Sequence, residues 1–313
     1  MANIKKVKAN IFLWLTAIIW GFAFVAQCDA ADKIDTFLLM GVRYLLGGIS
    51  LLPIIFLFEN RKEKEQLIPV DMKKTVLYGM LCGTILFTAS VLQQYGINLN
   101  PNAGKAGFIT GTYTVMVPVF CLILFKKKTG INVWLGAVCA TVGLYLLSVT
   151  NGLSSVAMSD IILIIGAVFW TFHIIAIDLC INKVSAIKFS CVQFLTCALL
   201  GFAVMLIRSN VSVADMSAQL SGALLPVLYM GIGSSGVAYT CQALGQRDAD
   251  PTSAAIILST ESVFAAIGGL LFKIDEDMTA RKYIGCIIIF IGIVVSQLPK
   301  GFLKKKFTRQ HQS

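Results

Sequence analysis

The chain has 313 residues, of which 57% are hydrophobic and only 13% charged, with a mean hydropathy of +0.81. One soluble globule cannot bury that much apolar surface, so lipid is the expected solvent. The net charge of +10 would suit a nucleic-acid partner, but the Lys and Arg residues punctuate apolar runs instead of forming a binding face, and no nucleic acid is expected.

Membrane-length runs are expected at 11–28, 36–58, 75–95, 104–125 and 131–149, then at 160–180, 187–208, 222–244, 252–272 and 283–298. Each is about 20 residues, enough to cross a hydrocarbon core at helical rise and too long for a membrane strand. The expected fold class is an all-α membrane protein of ten transmembrane helices. Lys5, Lys6 and Lys8 ahead of the first run resemble a secretory leader, with Val25-Ala26-Gln27-Cys28 as a loose cleavage box. Gln27 stands where a small residue is needed, and nine further runs follow, so this run is expected to stay as the first helix. With the N-terminus in the cytoplasm, nineteen of the 26 basic residues fall in cytoplasmic segments, among them Arg61, Lys126, Lys183, Arg247 and Lys304. That bias sets the orientation: a multi-pass protein of the cell membrane, both termini cytoplasmic, with 299–313 as a basic cytoplasmic tail.

The two halves echo each other at a spacing of about 150 residues. Ile19-Trp20-Gly21-Phe22 is answered by Phe169-Trp170-Thr171-Phe172, Asn100-Pro101 by Asp250-Pro251, and Trp134-Leu135-Gly136 by Tyr283-Ile284-Gly285. Five spans per half is an odd number, so one half is inverted relative to the other. Repeats of 10–149 and 159–298 are expected, joined at 150–158, as one unit of two five-helix repeats. Inverted repeats of this kind build many secondary transporters, with the substrate site at the seam near mid-membrane.

Nine cysteines lie almost wholly within apolar runs without a close pair, so neither a disulfide framework, a metal site nor a cofactor is indicated. Gly79 and Gly83, Gly107 and Gly111, Gly231 to Gly236, and Gly268-Gly269 give spans three, four, eight and nine smooth faces, which should meet at the packed centre. Pro118 removes one helical hydrogen bond and is expected to kink span four.

The Trp20-Gly21 entry, Arg43, Asn100-Pro101, the run from Val117-Pro118 to Lys126, Trp134-Leu135-Gly136 and the run Glu261 to Ala266 resemble the drug/metabolite transporter superfamily, more narrowly its ten-helix EamA family. The resemblance covers roughly residues 10 to 298. It implies a basket-shaped bundle of pseudo-twofold symmetry, a central cavity and alternating access. Family members often carry a Gly-Glu pair after the fourth and ninth helices, where this chain has Lys126-Lys127-Lys128 and Lys273-Ile274-Asp275-Glu276.

A charge at the middle of a membrane helix costs about 3 kcal/mol on insertion scales, so such residues face partners, water or substrate. Arg43, His173, Asp178 and Glu261 qualify. Glu261 lies about nine residues into span nine, roughly 14 Å of rise, which places it near mid-membrane. It is the candidate for proton coupling. Asp178, near the end of span six, is expected to pair with Lys183. The substrate-binding set expected is Trp20, Arg43, Gln93, Tyr113, Trp170, His173, Tyr239, Gln242 and Glu261, with no catalytic or metal-ligating residue. Amides and aromatic rings suit a small amphipathic metabolite, an amino acid or a nucleobase-like compound, better than a bare ion.

The chain is therefore expected to be a secondary transporter that exports a small organic metabolite by alternating access, as a functional monomer able to dimerise, and not an enzyme. No phosphate-binding Gly-rich loop accompanies the spans, so a gradient must drive it. The alternatives are a passive channel or lipid-translocating protein of the same fold, and a membrane-embedded enzyme, against which a single histidine within the spans argues.

Overall fold

The computed structural model describes residues 2–59, 71–126, 130–148, 157–208, 212–275 and 279–297. Among them every regular element is helical. Eight helices are long and apolar enough to cross a membrane, with a shorter apolar helix at Ile131–Gly143. The joint up to residue 156 and the basic tail lie outside the described residues.

The first half runs through α1 (Ala2–Ala30), α2 (Thr36–Ile54), α3 (Met72–Leu99), a span in two pieces, α4 (Ala103–Thr110) and α5 (Tyr113–Phe125), and α6 (Ile131–Ser148). The second half follows with α7 (Met158–Cys180), α8 (Ala186–Arg208) and a short helix α9 (Val213–Gly222). A composite span comes next, made of α10 (Leu224–Leu228), a π-helical stretch Tyr229–Tyr239 and α11 (Thr240–Gln246). The chain ends with another span in two pieces, α12 (Pro251–Leu258) and α13 (Glu261–Leu271), and with α14 (Ala280–Gln297).

Acidic and amide side chains fix where these helices begin, because they accept from backbone N–H groups that have no partner in the first turn. The Asp35 carboxylate accepts from Phe37 N and Leu38 N at 2.9 and 3.0 Å, Asn102 from Lys105 N at 2.7 Å, and Asp250 from Ser253 N at 3.0 Å. The residue that answers Asp250 is thus Asn102, two positions beyond the Asn100-Pro101 echo. Helix α9 was not expected. Its signature is nonetheless local: Ser212 Oγ accepts from Asp215 N, and Asp215 Oδ2 accepts from Ser212 N.

Packing is reciprocal between the halves. Helices α6 and α14 pair through their glycines: a Cβ at Gly143 would fall 2.6 Å from Gly285 O, and one at Gly292 2.8 Å from Gly136 O. Gly107 lies against Ala265, so the two broken spans touch at the centre. The smooth faces of spans three and eight do not join them there. Gly79 and Gly83 receive Val192 and Thr196 of α8, whereas Gly231 and Gly236 receive Leu46 and Ser50 of α2. The expected four-span centre is therefore a pair, spans four and nine, flanked by two symmetric small-residue contacts. Pro118 sits inside α5, and span four has a further interruption that was not expected, seven residues earlier at Gly111-Thr112.

Candidate functional site

The two breaks are built alike. Gly111 N reaches Gly107 O at 2.9 Å and Ser259 N reaches Ala255 O at 2.9 Å, so each first piece closes as a proper helix end. The next residue is threonine in both spans. Its hydroxyl turns back onto the chain, Thr112 Oγ1 to Ile109 O at 2.7 Å and Thr260 Oγ1 to Ile257 O at 2.6 Å, and the helix restarts one residue later. A side chain that bonds its own preceding turn competes with the helical ladder and favours such an interruption. The restart residues are Tyr113 and Glu261, and they meet: Tyr113 Oη donates to Glu261 Oε1 at 3.0 Å, across 148 positions of sequence. Glu261 opens α13, and the N–H groups of the next turn bond back across the break, Ser262 N to Ser259 O at 3.2 Å and Val263 N to Thr260 O at 3.0 Å.

The Tyr113–Glu261 contact lies on the wall of a small central chamber of about 20 Å³, room for one water-sized molecule. Trp20, Phe24 and Gln27 of α1 line it, with Arg43 of α2 and Gln93 of α3. From the second half come Trp170, Ser234, Tyr239, Gln242 and Glu261. Trp20, Tyr239 and Trp170 form one aromatic cluster, with ring centroids 4.6 Å apart for Trp20–Tyr239 and 6.1 Å for Trp170–Tyr239. The indole N–H groups are already engaged: Trp20 Nε1 donates to Ser234 O at 3.2 Å, and Trp170 Nε1 to Gln93 Oε1 at 2.7 Å. Gln93 Nε2 then donates to Gln27 Oε1 at 3.0 Å, so two of the wall amides are locked into one relay.

Two opposite charges stand on this wall. Arg43 is 3% exposed, and among the described residues it has no carboxylate partner; its Nη2 reaches Ser234 Oγ at 3.4 Å and its Nε has no partner. Glu261, also 3% exposed, is in none of those ion pairs either. Of the residues named from the sequence, eight are on the chamber wall. His173 stands behind it, fully buried, edge-on to Trp170 and Tyr239 and bonded through Nε2 to Gln193 Oε1 at 3.2 Å. Gln27 and Ser234 were missed. An amide inside an apolar run was the available signal for Gln27; Ser234 sits in a Gly-Ser-Ser-Gly stretch that reads equally as packing.

A second polar contact joins the halves at the start of α4. Asp275, in the segment after α13, accepts from Ala103 N and Gly104 N at 2.7 Å each, capping α4 from the opposite half. Burial pushes its carboxyl above the usual value, against the pull of those two N–H groups. Beside it Lys105 pairs with Asp160 at 2.7 Å.

Helices interrupted where two repeats meet, with polar and charged groups turned into a central chamber, are the arrangement of a multi-pass membrane transporter. The comparisons agree. The family model for the EamA-like transporter family matches twice, over residues 7–149 and 157–297. An uncharacterized transporter of Archaeoglobus fulgidus is 24% identical over 298 residues, 95% of this chain and 88% of that protein. The uncharacterized transporter YoaV of Bacillus subtilis is 21% identical over 294 residues, 93% of this chain and 97% of that protein. A solved crystal structure superposes with a TM-score of 0.71 at 16% identity, covering 94% of this chain and 98% of that one. The chain belongs to the EamA-like transporter family.

Proposed function

We propose that the chain is a secondary transporter of the cytoplasmic membrane that exports a small organic metabolite, an amino acid or nucleobase-like compound, by alternating access coupled to protons at Glu261. The observation that carries this is the Tyr113–Glu261 contact, which joins the two helix restarts across the chamber. Protonating Glu261 removes the charge that Tyr113 stabilises and loosens the link between the halves; solute and proton then bias the same contact. Arg43, buried and in no ion pair among the described residues, supplies a site for a solute carbonyl or carboxylate. The basic residues at one end of the spans favour cytoplasmic termini.

The test uses proteoliposomes. Glu261→Gln should abolish uptake driven by an acid lumen, in which protons leave as solute enters, while the purified variant keeps its helical content; an unchanged pH dependence would refute the coupling role. Counterflow separates carrier from pore, since unlabelled solute on the far side accelerates labelled entry only through a carrier.

A further inference from the structure

Three amides line the chamber, and they differ in what they leave open. Gln27 and Gln93 are bonded to each other and to Trp170. Gln242 is 0% exposed, and neither its Oε1 nor its Nε2 has a partner. A buried donor and acceptor left unmade is costly, and a ligand that bonds both recovers that cost. The two groups sit side by side in one plane, so together they match an edge that offers an acceptor next to a donor. A carboxylate offers acceptors only and an ammonium donors only; neither satisfies both. A lactam does, through its C=O and N–H.

What surrounds Gln242 adds the rest of the shape. Tyr239 is one helical turn away on the same side, so ring and amide face the chamber together. Its ring lies within 19° of parallel to that of Trp170. Because both indole N–H groups are taken, the aromatic cluster offers ring faces, which suit a flat solute. Arg43 and Glu261 add a donor and an acceptor for the other edges of such a ring.

Resting on the transporter reading above, we infer that the transported solute is a planar heterocycle with a lactam edge, of the nucleobase kind, and that Gln242 is the residue that reads that edge. The chamber as it stands admits no such ring, so binding accompanies a parting of the halves.

Purified full-length chain in detergent is titrated with uracil, hypoxanthine, 1,3-dimethyluracil, phenylalanine and tryptophan, with binding read from the rise in melting temperature and from calorimetry. Uracil or hypoxanthine should bind saturably, and 1,3-dimethyluracil, which keeps the ring but lacks the N–H, about a hundredfold or more weaker. Gln242→Leu should bind the two uracils equally and weakly while its unliganded melting temperature holds or rises, because two unpartnered polar atoms are gone. If Gln242→Leu does not fold, Gln242→Asn serves, its shorter amide cutting discrimination at least tenfold. Equal wild-type affinity for both uracils, discrimination that survives in Gln242→Leu, or no lactam binding in the millimolar range would each overturn the assignment. Counterflow of whichever probe binds separates the layers. Counterflow of phenylalanine or tryptophan without lactam binding overturns the lactam and keeps the carrier; lactam binding without counterflow keeps Gln242 and overturns the carrier.

Discussion

Lys126 and Lys273 both adopt left-handed backbone angles, φ 53° and 55°, at the ends of α5 and α13. Glycine is the residue that takes this conformation without penalty, and an L side chain costs about 1 kcal/mol there. The missing glycines of the family's Gly-Glu pairs are thus explained by position: lysine occupies each cap and bears its strain. Both side chains are exposed, so Lys126→Gly and Lys273→Gly should each stabilise the chain by roughly 1 kcal/mol in reversible unfolding, and a loss instead would mean the lysines make contacts worth more than the strain. Two residues on, Asp275 holds the first N–H groups of α4. Asp275→Ala leaves both without a side-chain partner and should cost about 1–3 kcal/mol. The sign of its pH dependence follows from its raised carboxyl. The folded chain holds that proton more readily than the unfolded one, so the associated stability is full below the ordinary carboxylate value and is lost as pH rises through the shifted one. Asp275→Asn should flatten that decline in a melting-temperature profile.

Among elements, the broken spans decide the site. Residue counting made span four one helix kinked at Pro118, because a proline is the strongest local breaker. The break instead follows from Thr112 and Thr260, whose hydroxyls close back on the preceding turn at matched positions. The signal was present as Gly-Thr-Tyr and Ser-Thr-Glu, but threonine bonds its own helix without interrupting it at Thr171 and Thr196, so the motif alone does not discriminate. The spans can meet closely only because Gly107 has no side chain. A Cβ there would stand 2.7 Å from Ala265 Cβ, and both residues are buried. Gly107→Leu should therefore destabilise the purified protein by about 1–3 kcal/mol and abolish counterflow, whereas Gly222→Ala, which meets nothing within 4 Å, should leave both unchanged.

For the whole molecule, the proposed inversion makes a prediction about sides. Lys126 and Lys273 are equivalent ends of the two repeats, so single cysteines placed there in a background lacking exposed thiols should react with a membrane-impermeant maleimide from opposite faces of the membrane. Labelling from one face would overturn the inverted arrangement. Asp275, α4 and the Lys105–Asp160 pair form a polar cluster that the second repeat does not copy at the position answering Lys105, where Ser253 stands.

Composition, the spacing of apolar runs and the echo of one half in the other determined the membrane environment, the all-helical class and the family, because each is a sum over many residues that no single contact overrides. Arg43 and Glu261 were legible too, since a charge amid some twenty apolar residues is conspicuous wherever it packs. Which groups remain open was decided only by tertiary structure. Gln27, Gln93 and Gln242 are the same residue type in similar surroundings of sequence; two are consumed by partners from other helices and one is not, and hydrogen-bond pairing across 66 and 77 positions is a property of how helices meet, not of what any of them is made of.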